Sequence, residues 1–403
     1  MGYDEPGRST TAEPSSGVPA TGPEHPLDDR AAEEHGRDRI AVHVCWELVL
    51  LVALVVVTLL LWQRDADALR GAALRALAVA VVAYGLLTLA AGVSLRTAAV
   101  NLAVGPVAVA AALHFAEQGD RGVVGAAVPA LAVAALGGLA VGLVVVVFHV
   151  PGWAATLAGA AGVIVYIERR TAPVLVQGEY DPRHSAWYLL AGFAAAAVLG
   201  GLFGAIRSIR RLVGRFRPVA DPARRRGVGA AVIAVGGLVG STVLATLAGI
   251  LLAANGAGPV APGSGLDWTV LAVGIATLAG TSVYGRRGGV FGTLLAVGLT
   301  VVFLAWADAR GWTFSRWAVG GVVLGLGLVV TRLIESAGRP ATGDVTELAP
   351  PHDGSLSGGW SLPQPAPVEN WPPAMPTQAV EPPAQWEGPR WESGPGRWDT
   401  TDR

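Results

Sequence analysis

Ten apolar segments follow one another along the chain, separated by shorter polar stretches. They cover residues 43–62, 74–92, 98–116, 123–148, 152–167, 185–206, 228–254, 268–284, 289–307 and 316–335. A membrane-spanning helix needs about 20 apolar residues, and five of the segments reach that length easily. Helix is predicted for all ten, because no water competes for backbone groups in an apolar environment. The pattern predicts an all-α polytopic membrane protein with about ten transmembrane helices.

Three of the ten segments, 98–116, 152–167 and 268–284, are short or interrupted by Gly and Pro. Such segments are tolerated at membrane depth only when they pack within protein or line a cavity. Omitting any one of them would reverse the orientation of every later loop. We therefore retain all three as spans.

Polar sequences flank the apolar region on both sides. Residues 1–40 and 340–403 are rich in Pro and Gly, carry no apolar run and are predicted to be disordered. The chain thus divides into an N-terminal tail (1–40), a membrane domain (41–339) and a Pro/Trp/Gly-rich tail (340–403). The second tail holds five of the 13 tryptophans, either as a docking segment or as a low-complexity appendage.

The distribution of arginine predicts the orientation of the chain. With the N-terminus in the cytoplasm, 16 of the arginines in or close to the membrane domain fall on the inner side and nine on the outer side. Eight of the inner ones lie between Arg207 and Arg226, whereas the outer connection 258–267 has none. The positive-inside rule then predicts a multi-pass protein of the cell membrane with both termini cytoplasmic.

Composition narrows the possible functions. The chain is 52% hydrophobic and only 15% charged, against about 25% charged in soluble domains. It contains 29 arginines and no lysine, which excludes a Walker A motif and a lysine Schiff base. The single cysteine, Cys45, excludes an intrachain disulfide and a cysteine zinc cluster. We therefore predict no catalytic residue, no metal and no cofactor.

Ionisable groups within the apolar segments are few. Glu47, His114 and His149 lie near predicted span ends, where we expect a solvated interface. No spaced series of carboxylates is present to relay protons or sodium ions. This weighs against a secondary transporter, whose coupling ions need ligands.

The arginine-rich stretch 207–226 has three interpretations. It could bind nucleic acid or anionic lipid, dock a soluble partner, or act only as a topology signal. A topology signal explains the sign of the charge, but not a loop of about 20 residues where most connections have about 4–6. We favour partner docking and predict no nucleic-acid partner.

Three stretches resemble one family of membrane proteins. They are GVSLRTAAVNLAVGPVAVAAAL at the end of 71–116, HVPGWAATLAG at 149–159, and the run from GVGAAVIAVGGLVG to GGVFGTLLAVGLT at 227–300. In order and spacing they are similar to ABC-transporter permease subunits of the ribose and monosaccharide class. The resemblance covers about residues 45–335.

The resemblance implies a type II ABC-importer-like permease bundle for sugar transport in a bacterial membrane. It implies cytoplasmic ATPase subunits, an extracellular solute-binding protein, a homodimeric or heterodimeric permease partner and surrounding membrane lipids. The expected translocation path comprises Asn101, Gly105, Thr156, Gly280, Thr281 and Ser282. The expected ATPase-contact loop comprises Arg215, Arg224, Arg225, Arg226 and Gly227.

The chain departs from the family pattern at two places that bear on function. Asn101 stands where the family has Asp, and the ATPase-contacting element of the family hardly matches residues 218–228. One alternative is therefore a permease-derived membrane scaffold or sensor without transport. A branched-chain amino-acid permease of the same superfamily is a further alternative.

Overall fold

The computed structural model describes residues 40–97, 99–206, 228–283 and 290–337. The predicted tails, apart from Ile40, and the arginine-rich loop lie outside these ranges. The described residues form ten α-helices. They are α1 (Ile40–Arg64), α2 (Gly71–Arg96), α3 (Val104–Gln118), α4 (Gly122–Val147), α5 (Gly152–Glu168), α6 (Ala186–Ala205), α7 (Val228–Asn255), α8 (Leu266–Leu278), α9 (Gly292–Ala309) and α10 (Arg316–Ala337).

Each helix overlaps one predicted apolar segment, which confirms the all-helical architecture. Seven helical stretches are long and apolar enough to cross a membrane by length and composition, and one of them, Val104–Val147, contains both α3 and α4. The helices α5 and α8 are apolar but shorter. Seven helical stretches therefore have the length and hydrophobicity of membrane-spanning helices, and the number of ten spans stays a prediction.

Two helix boundaries differ from the sequence prediction. The segment 98–116 becomes helical only at Val104. Residues 99–101 are not helical, and Leu102 and Ala103 form a turn. The segment predicted at 268–284 ends as a helix at Leu278, because Gly280 adopts a left-handed conformation with φ of +87°. Both differences lie at the interrupted segments.

The long helix α7 occupies the centre of the bundle and packs against α2, α3 and α4. A second group pairs α8 with α10 and α1 with α9. Buried side chains of α2, α8 and α9 join these groups in one apolar core, with Val79, Leu271 and Val297 among its members. The outer surfaces of α1 and α4 are instead exposed and apolar, as a lipid-facing helix requires.

Connections that the arginine count assigns to the outer side meet at one end of the bundle. Val174 and Val260 exchange backbone hydrogen bonds of 2.9 and 2.8 Å, and Gln177 N donates to Ala116 O at 2.9 Å. Asn255 at the end of α7 donates from Nδ2 to Ala76 O near the start of α2. The ends of α3 and α7, the start of α2 and the segment after α5 therefore lie at the same end of the bundle.

Candidate functional site

The helical structure is interrupted between α2 and α3, and this non-helical segment lies beside the middle of the central helix α7. Asn101 in this break is 1% exposed, and its Nδ2 donates to Ser241 Oγ at 2.9 Å. Ser241 lies at the middle of the 28-residue helix α7, so the break is at mid-depth in the bundle. Asn101 Oδ1 also accepts from Ala103 N at 2.9 Å, which satisfies a backbone donor just before α3 begins.

The start of α8 sits directly on the start of α3. Gly105 N donates to Thr269 Oγ1 at 2.9 Å, and that hydroxyl donates to Leu102 O at 3.2 Å. A Cβ on Gly105 would lie 1.9 Å from Gly265 O, so only glycine permits this approach. Gly265 itself has a φ of +73°. We call residues 99–105 and 265–269 the helix junction.

Thr156 near the start of α5 secures the same break from another side. Its Oγ1 donates to Val100 O at 2.9 Å and accepts from Leu102 N at 3.1 Å. The side chain is 1% exposed. Asn101 and Thr156 thus supply partners for backbone groups that no helix satisfies, which is the condition for irregular backbone at membrane depth.

The second break follows α8. Gly280 N donates to Thr277 O at 2.9 Å and Thr281 N to Ala276 O at 3.1 Å, which is the pattern of a Schellman cap. Thr281 and Ser282 are buried. The structure therefore gives Gly280 a defined conformational role at the end of α8.

Two side chains of α1 close around this second break. Trp46 Nε1 donates to Leu278 O at 2.8 Å. Glu47 Oε1 accepts from Phe291 N at 2.7 Å and from Gly292 N at 3.0 Å. Glu47, which the sequence analysis expected at a solvated interface, is partly exposed, and its carboxylate caps the positive end of α9.

The six expected path residues fall into two separate groups. Asn101, Gly105 and Thr156 meet at the helix junction, whereas Gly280, Thr281 and Ser282 lie beyond the far end of α8. The five expected ATPase-contact residues, Arg215, Arg224, Arg225, Arg226 and Gly227, lie outside the described residues.

A groove of about 530 Å³ adjoins the junction and is bounded by α3, α4, α5 and α7. Most of the residues that line it are alanine, glycine and valine. Polar side chains come from three places: Asn101 and Thr156 at the junction, Thr242 and Thr246 on α7, and His114 and Tyr166 near the other ends of α3 and α5. We call this space the α4–α5 groove, because these two helices flank it on the surface side.

A charged cluster stands beside the His114 and Tyr166 end of the groove. Arg170 holds the Glu117 carboxylate through two hydrogen bonds, one of them 2.7 Å long from Nη2, and also donates to Tyr166 O and to the Tyr166 hydroxyl. The hydrogen bond to Glu117 raises the pKa of Arg170 above its ordinary value. In the sequence, Arg170 contributes only to the count of outer arginines that predicts the orientation. No local pattern predicts that its side chain contacts Glu117.

A second cluster missed by the sequence lies at the start of α8 and α10. Arg316 Nε donates to Asp267 Oδ2 at 2.6 Å, and the guanidinium stands 4.7 Å from the centre of the Trp268 ring. The Trp268 ring meets Tyr84 edge to face at 5.4 Å. These contacts hold the start of α10 against the start of α8.

Within the described ranges no group of three His, Cys, Asp or Glu residues is placed to hold a metal ion. No protein-family model, curated protein or solved structure matches the chain. The described residues therefore define a helical protein of membrane-type character, in which the interrupted segment before α3 meets the start of α8 inside the bundle.

Proposed function

We propose that the chain is the membrane-spanning permease subunit of an ABC importer for a monosaccharide or a similar small polar solute. The helix junction is the observation that carries this proposal. Interrupted helices at mid-depth are the recurrent means by which transporters expose polar backbone to a passing solute. The sequence resemblance supplies the importer class.

The junction has the composition that such a path requires. Asn101, Thr156 and Thr269 present amide and hydroxyl groups beside backbone that is not helical. Each group already has a partner within the protein, so the described arrangement is a closed one. Alternating access would then require α3 and α8 to separate at Gly105, where both backbones are in contact.

Energy for transport is supplied in this proposal by separate cytoplasmic ATPase subunits, because a chain without lysine has no P-loop of its own. An extracellular binding protein would deliver the solute, and a second permease chain would complete the path. The exposed apolar surfaces of α1 and α4 would contact lipid or that second chain.

The orientation can be tested with cysteine probes. In a Cys45→Ser background, Gly263→Cys should react with a membrane-impermeant maleimide added to intact cells, and Arg215→Cys should react only after the membrane is opened. The reason is the asymmetry between the arginine-rich stretch and the arginine-free connection. Labelling of both cysteines from the same side would contradict the ten-span topology.

Docking of an ATPase is tested by charge reversal. Combined Arg224→Glu, Arg225→Glu and Arg226→Glu should abolish co-purification of ATPase subunits from native membranes while membrane insertion persists. Association of the unmodified protein should weaken at high salt, since clustered charges are strongly screened.

The matched control for this charge reversal is the triple change Arg64→Glu, Arg70→Glu and Arg75→Glu. It alters the same number of charges at the opposite, outer end of the bundle and should leave ATPase recovery unchanged. Equal recovery from all three proteins, or no ATPase in any of them, would favour the scaffold or sensor alternative over transport.

A further inference from the structure

The α4–α5 groove is open toward the surface that faces the bilayer. Val133 on its α4 side is 71% exposed. A Cβ built on Gly137 or Gly162, which also line the groove, would meet no atom within 4 Å. An apolar chain could therefore enter sideways from the hydrocarbon without passing through the protein.

One end of this groove offers hydrogen bonds that the protein does not use. Nε2 of His114 is buried and has no hydrogen-bond partner among the described residues. The Tyr166 hydroxyl oxygen accepts from Arg170 Nη2 at 2.8 Å, which leaves its hydrogen available to donate. A buried polar atom without a partner is uncommon and calls for a ligand or a water molecule.

The charge at this end is balanced. Arg170 is held by the Glu117 carboxylate, so neither charge is left for a ligand to neutralise. A head group that carries a net charge would therefore have to compete with the Arg170–Glu117 pair, the ion pair that the described residues place beside Tyr166. A hydroxyl or carbonyl oxygen could bond to both side chains without leaving a buried charge.

We propose that the α4–α5 groove binds a single-chain membrane lipid with a neutral hydroxyl or carbonyl head, placed between His114 and Tyr166. The volume of about 530 Å³ lies within the range of about 300–1,000 Å³ that ligand pockets occupy. A sugar fits this space poorly, because most of its hydroxyl groups would face alanine, glycine and valine. The inference does not depend on transport, since it concerns lipid binding alone.

The test uses full-length protein in phosphatidylcholine nanodiscs and hexadecanol with a photoactivatable diazirine on its chain. Labelling should be saturable and should map to α4 and α5. Unlabelled hexadecanol should compete, whereas hexadecane, which lacks the head, and palmitate, which is charged, should compete poorly. Preferential competition by palmitate would overturn the neutral head, and equal competition by hexadecane would overturn the head site altogether.

Two sets of variants locate the ligand. Gly162→Leu should fill the groove and remove the labelling, whereas Gly192→Leu on α6, where a Cβ also meets nothing within 4 Å, should leave it unchanged. His114→Leu should weaken binding about fivefold, the ratio that one neutral hydrogen bond supplies, and His114→Gln should restore it. Unsaturable labelling, or Gly162→Leu behaving like the control, would show nonspecific lipid contact and overturn the proposal.

Discussion

Gly105→Ala should destabilise the bundle by about 3 kcal/mol and abolish solute uptake. The added Cβ would lie 1.9 Å from Gly265 O and 2.7 Å from Thr269 N. Both are backbone atoms, so no side chain can rotate away, and α3 must move off α8. That movement also breaks the 2.9 Å hydrogen bond from Gly105 N to Thr269 Oγ1. Unfolding in mixed detergent micelles measures the stability, and uptake into reconstituted vesicles measures the function.

The matched control for Gly105→Ala is Gly92→Ala on α2. A Cβ at Gly92 would meet nothing within 4 Å, and the exchange of glycine for alanine in a helix is mildly favourable. Its stability should be unchanged or slightly raised and its uptake normal. Wild-type stability of Gly105→Ala would show that α3 and α8 are not in the close contact described for the helix junction.

The hydrophobic pattern alone was sufficient to locate the ten helices, because each must bury or present an apolar surface along its whole length. It was less accurate at the interruptions. Residues 98–103 are apolar enough to continue a helix, but Asn101 bonds to Ala103 N and Ser241 instead. The contact with Ser241 joins residues 140 positions apart in the sequence, so no local pattern can reveal it.

Glycines spaced four residues apart are a general sign of close helix packing, but only some of the pairs in this chain lie at a helix contact. Gly138 and Gly142 do face the backbone of α7, as their spacing indicated. Gly321 and Gly325 instead meet open space, and the contact of α10 with α8 passes through Gly320 and Gly327. With 54 glycines in the chain, spacing alone does not determine which face of a helix is buried.

The candidate site was likewise predicted only in part. The helix junction brings together Asn101, Gly105 and Thr156. Backbone groups in an interrupted helix lack helical partners, and the polar side chains of Asn101 and Thr156 supply them. The sequence placed His114 at a solvated interface, yet its Nε2 is buried at the groove. The helix α3 continues to Gln118, beyond the segment boundary at 116, so His114 lies about one turn inside the end of the helix.

Asn101→Leu should abolish uptake and destabilise the protein, because it leaves two buried polar groups without their partner. Ala103 N loses its acceptor and the Ser241 hydroxyl loses its donor, at about 1–3 kcal/mol for each unpaired group. Ser241→Ala removes only the second contact and should cost less.

Asn101→Asp distinguishes a structural role from a role in transport. Its carboxylate keeps an acceptor for Ala103 N and can also accept from the Ser241 hydroxyl, so both contacts can be retained. In a double-mutant cycle, Asn101→Leu and Ser241→Ala, which each remove the contact, should be less than additive in unfolding free energy. The same variants are then compared in vesicle uptake under conditions where all are folded. If Asn101 lines the path, Asn101→Leu loses uptake even where its fold is retained, and Asn101→Asp, which carries the residue of the resembled family, keeps a measurable rate. Wild-type uptake by folded Asn101→Leu would assign Asn101 to the packing of α3 against α7 and would move the path away from the helix junction.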